Sequence, residues 1–117
     1  MFRVHAKGTK ESYALKVMEK QHIHRLRVRH KNIFNEIQME KQVLNALQHD
    51  NIVTLYHTFQ DTTCLYFLME DLKGGELWDR LMFNEKCIGC DESQSRFWAA
   101  DLILSMEYMH QMQIVHR

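Results

Sequence analysis

The sequence predicts an α+β fold: an antiparallel sheet of short strands, one helix packed on it, and further helices after it. Three observations carry this. Residues Tyr13 to Met18 alternate as a strand does, with Tyr13, Leu15 and Val17 on one face and Ala14, Lys16 and Met18 on the other. Ile33, Ile37, Leu44 and Leu47 recur at helical spacing and form one stripe. Cys64 to Glu70 is apolar almost throughout, and short strands joined by tight turns imply antiparallel pairing.

Each element follows in order. Phe2 to Lys7 reads as a strand and Gly8 to Ser12 as a hairpin turn. The strand of Lys16 comes next. Glu19 to Lys31 is basic, with Lys20, Arg25, Arg27, Arg29 and Lys31 beside His22, His24 and His30, and holds no acid after Glu19. It reads as a solvated short helix or loop, or as an anion- or phosphate-binding surface beside the next helix. Asn32 to Gln48 reads as a helix capped by Asn32.

Ile52 to Phe59 alternates again, placing Val53, Leu55, His57 and Phe59 on one face. Gln60 to Thr63 is a turn, and Cys64 to Glu70 a strand covered on both faces. Gly74-Gly75 breaks the pattern. Glu76 to Met82 reads as a short helix and Asn84 to Cys90 as irregular. Asp91 and Gln94 form a capping box for a helix to about Gln111, apolar nearly all round. Ile114-Val115 reads as a very short strand.

One lysine and one glutamate break these patterns. Glu40 falls in the apolar stripe of its helix, and Lys16 sits mid-strand. A charge on a packing face is costly unless it meets its opposite, so the two are expected to pair. Glu36, one turn earlier, competes for the same lysine.

Bulk properties exclude several classes. Lys plus Arg and Asp plus Glu are both 15, so overall charge argues for neither nucleic acid nor an anionic membrane. No apolar run approaches the roughly 18 residues of a membrane span, so no transmembrane segment is expected. Phe2 to His5 already reads as strand, so no signal peptide is expected. Three cysteines point to a reducing cytosol. Cys87-Ile88-Gly89-Cys90 lacks further ligands in a zinc pattern and reads as two free thiols. The eight histidines fit no metal site.

Four landmarks in order resemble the protein-kinase family across essentially the whole chain. Tyr13-Ala14-Leu15-Lys16 is similar to the lysine strand V-A-I-K, and Glu40 lies on the helix after it. Val43 to Val53 resembles the helix end and H-x-N-I-V entry to the next strand. Leu65 to Leu77 looks like the last small-lobe strand, the hinge and the large-lobe start. Ile114-Val115-His116-Arg117 looks like the approach to H-R-D.

Thr58-Phe59-Gln60-Asp61, Gly74-Gly75-Glu76-Leu77 and Ser95 to Ala100 are similar to the AGC serine/threonine kinases. Glu19-Lys20-Gln21-His22-Ile23 resembles the phosphoinositide-dependent protein kinases. Calcium/calmodulin-dependent kinases, which share Gly74 to Leu77 and Asp79-Arg80, are the runner-up.

The resemblance implies a kinase-like fold, with residues 1–72 a partial small lobe and hinge and residues 73–117 the start of the large lobe. It implies ATP and Mg as cofactors and a protein substrate, which includes kinases with a phosphorylated hydrophobic tail. Lys16 would hold the α- and β-phosphates and Glu40 would position it. Ala14, Val53, Met69, Glu70, Leu72 and Glu76 would complete the ATP site. Leu44, Leu55 and His116 would stack as a spine, and Arg117 would meet a phosphorylated activation loop. Lys20, Ile23, Lys41, Gln60 and Leu65 would dock the hydrophobic tail.

The glycine-rich loop would precede residue 1, and the catalytic Asp and the metal ligands would follow Arg117. The chain alone is therefore expected to be inactive, truncated at both ends and marginally stable. From Lys16 to Glu40 is 24 positions, against about twenty in the family. The alternative is a non-catalytic kinase-like module that binds a partner. A cytoplasmic location is implied, with any membrane recruitment resting on a domain outside these residues.

Overall fold

The computed structural model describes residues 1–83 and 86–116. The chain divides into two compact units, Met1–Asp71 and Leu72–Arg117.

The first unit holds a four-stranded antiparallel sheet of β1 (Phe2–His5), β2 (Ser12–Glu19), β3 (Leu55–Gln60) and β4 (Cys64–Glu70), in the order β1-β2-β4-β3. Gly8, at φ 84°, turns the chain between β1 and β2. Helices α1 (Lys20–Arg27) and α2 (Ile33–Ala46) follow β2. Leu55, Phe67 and Met69 form the buried cluster, with Ala14, Met18, Ile37, Leu44 and Val53 packed against it. The period-2 pattern of β2 and β4 and the stripe of α2 thus meet on one side of the sheet.

Strand β3 departs from expectation. It begins at Leu55 rather than Ile52, and a bulge shifts its register between Leu55 and His57. Tyr56 is the extra residue, so the alternation changes phase. Leu55 is buried, whereas His57 and Phe59 are exposed and do not share its face. Strand β4 is covered on one face only: Phe67 and Met69 are buried and their neighbours half-buried.

At α2, Asn32 occupies the N-cap position without a side-chain cap bond. Its backbone, at φ −95° and ψ 4°, lacks the extended geometry that aims a capping side chain at the first turn.

The second unit holds α3 (Leu77–Leu81), the short ribbon β5 (Met82–Phe83) and β6 (Lys86–Cys87), and α4 (Glu92–Gln111). Strand β6 lies in the stretch expected to be irregular, and Met82, expected to end the helix from Glu76, opens β5 instead; Asn84 and Glu85 lie outside the described residues. Asp91 caps α4 by accepting from the Gln94 amide at 2.9 Å. Its carboxyl is held below the usual range by the Ser93 hydroxyl, then by that amide.

Ile114-Val115 is not a strand. The Ile114 amide donates to the Met109 carbonyl and the Gln113 amide to that of His110, both at 2.9 Å. Gln113 sits at φ 59°. This is a Schellman closure with glutamine where glycine is usual.

Candidate functional site

The lysine and glutamate that broke the sequence pattern meet. Lys16 Nζ, from mid-β2, donates to Glu40 Oε1 at 2.6 Å. The lysine also lies 5.9 Å from the centroid of Phe67, its cross-strand partner on β4. The two side chains are 32% and 38% exposed. Water reaches both, so the pair contributes about 1 kcal/mol or less to stability. Its value lies in holding an ammonium group at a fixed place on the sheet.

Glu36 forms no ion pair among the described residues. It lines with Lys16, Glu40, Glu19 and His22 a cavity of ≈ 560 Å³ floored by Ile23, Leu26 and Ile37.

Several candidate residues surround the pair. Ala14 is opposite Met69 across β2 and β4. Leu44 and Val53 pack against the cluster of Leu55 and Met69. The Glu70 amide donates to the Thr54 carbonyl at 2.9 Å. Leu72, Glu76 and His116 belong to the second unit, where Glu76 is the N-cap residue of α3. Arg117 lies outside the described residues.

The five tail-docking candidates do not gather at one place. Lys41, Gln60 and Leu65 line a groove of ≈ 270 Å³ between α2 and the β3–β4 hairpin, with Phe34, Thr58 and Phe67. Ile23 is 4% exposed and faces the other cavity. Lys20 Nζ bonds the Asp61 carbonyl at 2.5 Å.

Two features escaped the sequence reading. Phe34 lines the groove beside the ring of His24 and the guanidinium of Arg27. Its spacing of three to Ile37 was the available signal. Asp61 organises the β3–β4 turn. It accepts from the Thr63 and Cys64 amides, both at 2.7 Å, and from the hydroxyls of Thr63 and Tyr66. The Tyr66 hydroxyl, then the two amides, holds its carboxyl well below the usual range. In return Asp61 pushes the Tyr66 hydroxyl up.

A sequence model described as "Protein kinase domain" matches residues 1–117. The chain belongs to the protein-kinase family. It is 36% identical over 115 residues to 3-phosphoinositide-dependent protein kinase 1 of Arabidopsis thaliana, covering 98% of this chain and 22% of that protein. To serine/threonine-protein kinase sgk-1 of Caenorhabditis elegans it is 37% identical over 118 residues, covering 100% and 24%. The human 3-phosphoinositide-dependent protein kinase 1 is 37% identical over 110 residues, covering 94% and 18%.

Among solved structures, that of Rad53 in complex with AMP-PNP superposes with a TM-score of 0.80 at 27% identity, covering 93% of this chain and 26% of that one. The kinase chain thus spans about a fifth to a quarter of the relatives it matches. No helix of the described residues is long and apolar enough to cross a membrane.

Proposed function

We propose that this chain is part of a protein serine/threonine kinase of the AGC group, within phosphoinositide-linked signalling, and that it binds the phosphates of ATP through Lys16. The observation that carries the reading is the 2.6 Å bond between Lys16 on β2 and Glu40 on α2. In the reaction, the γ-phosphoryl of ATP moves to a hydroxyl of a protein substrate. Lys16 offsets charge on the α- and β-phosphates, and Glu40 keeps its ammonium aimed.

Ala14, Val53 and Met69 supply apolar surface for the adenine. Glu70 and Leu72 hold the base through the backbone, and Glu76 reaches the ribose. By the family's pattern, Leu44, Leu55 and His116 take the positions of the supporting stack, and Arg117 that of the partner of a phosphorylated loop. Residues 1–72 form the small-lobe part and hinge, and residues 73–117 the large-lobe part.

Among the described residues no three His, Cys, Asp or Glu side chains come together; the family's Mg would bind through residues that follow Arg117.

The test is phosphate transfer from ATP to a protein substrate by the full-length protein and its Lys16→Met variant. Activity should fall by about 10²-fold or more. Stability should change by about 1 kcal/mol or less. Undiminished transfer in the variant would sink the reading.

A second activity, docking of a phosphorylated hydrophobic tail, is favoured by the groove that holds Lys41, Thr58, Gln60 and Leu65. Titration of such a peptide against the Leu65→Asp variant checks it, and unchanged affinity would exclude the groove.

A further inference from the structure

We infer that Arg3 and Asp71 are positioning residues for nucleotide binding. Their ion pair fixes the backbone beside Glu70, the residue proposed to hold the base of ATP. The inference rests on that reading of Glu70.

Asp71 follows β4 and closes the first unit. Its side chain is 7% exposed, although a carboxylate past the end of a strand is ordinarily solvated. Arg3, on β1, donates from Nε to Asp71 Oδ1 at 3.0 Å, and the same nitrogen lies 2.9 Å from Oδ2. Burying a carboxylate is costly without a cation beside it, so the pair holds Asp71 in one place.

The sheet explains how the two meet. Arg3 stands opposite Ala14 and Ala14 opposite Met69, so the three form one row across β1, β2 and β4. Asp71 follows Met69 by two and returns to the same side. Two strand spacings, roughly 10 Å, separate β1 from β4. An extended arginine can reach across because the side chain between them, that of Ala14, is a single methyl group.

Glu70 is thereby held from both edges of the sheet. Its amide donates to the Thr54 carbonyl at 2.9 Å, and its Oε2 accepts from the Thr54 amide at 3.4 Å, just before edge strand β3. From the other edge, Arg3 on β1 holds the next residue. A backbone group binds a base well when its place is set before the ligand arrives. Thr54 alone would leave the chain free to turn after Glu70, and the Arg3–Asp71 pair removes that freedom.

The test is titration of AMP-PNP onto the full-length protein, with kcat, KM for ATP and melting temperature measured alongside. Arg3→Met should weaken AMP-PNP binding and raise KM about tenfold with kcat unchanged. The Arg3 side chain is 57% exposed, so its removal opens no core cavity. Asp71→Leu should have the same effect. The double variant should cost no more than either single one, because each breaks the same tie. It also removes both charges, which keeps the fold should Arg3→Met alone fail to fold. Arg3→Lys, which keeps the charge, should recover part of the affinity.

Wild-type affinity in Arg3→Met, or a lowered melting temperature with affinity intact, overturns the inference and leaves the Lys16 reading standing. Costs that add in the double variant overturn it as well. Absence of AMP-PNP binding to the wild type overturns both.

Discussion

The first unit and helix α4 both carry many apolar residues and dispose of them in opposite ways. In the first unit Phe67 is 3% exposed, at the centre of a sheet covered by a helix. On α4, Phe97, Leu102 and Ile103 are each 60% exposed or more, and the buried residue is Ser105. Hydrophobic residues alone do not make a core. The strands place theirs on one face and α2 presents a matching stripe. Helix α4 is apolar around its circumference, a pattern that calls for cover on several sides at once.

The largest expected effect tests this contrast directly. Phe67→Ala should destabilise the first unit by about 3–5 kcal/mol. In residues 1–117 by themselves, where Phe97 is 65% exposed, Phe97→Ala should stay within about 0.5 kcal/mol. Chemical denaturation with separate probes in the two units measures both. A large loss from Phe97→Ala would mean that α4 packs in solution as tightly as the sheet does.

A smaller effect distinguishes the units by pH. Asp61 and Asp91 both have depressed carboxyl pKa values, from the ordinary 3.8. Such groups stabilise the fold above the unfolded value, and that contribution is lost as pH falls through the folded one. Melting temperature should therefore drop below about pH 4. Asp61→Asn should flatten the drop for the first unit and Asp91→Asn for α4. A drop unchanged by either substitution would assign acid sensitivity elsewhere.

The smallest effect concerns the end of α4. Gln113 occupies a left-handed position at φ 59°. Gln113→Gly should stabilise that helix end by up to about 1 kcal/mol, read as slower exchange of the last-turn amides. Faster exchange would refute the Schellman account.

The sheet and α2 were legible because their patterns were regular and each was broken once. A lone lysine in an apolar strand and a lone glutamate in an apolar stripe almost define each other. Strand β3 was misread for the same reason. Val53 to Phe59 alternates without interruption, and the bulge at Tyr56 is marked by neither glycine nor proline. The β5–β6 ribbon escaped because two-residue strands are shorter than any periodicity can register. Of the docking set, which came from resemblance, Lys41, Gln60 and Leu65 line one groove. Packing of α1 turns Ile23 inward, and the Asp61 carbonyl takes up Lys20.

Asp61 also bears on how long the sheet keeps its protons. One oxygen holds the Thr63 and Cys64 amides, the other the Tyr66 hydroxyl. The Thr63 carbonyl receives the first amide of α1 at 2.8 Å. Solvent exchange at this turn therefore requires several bonds to open together. The tip of the hairpin, ordinarily the first place to fray, is therefore expected to release its hydrogens more slowly than an unbraced turn.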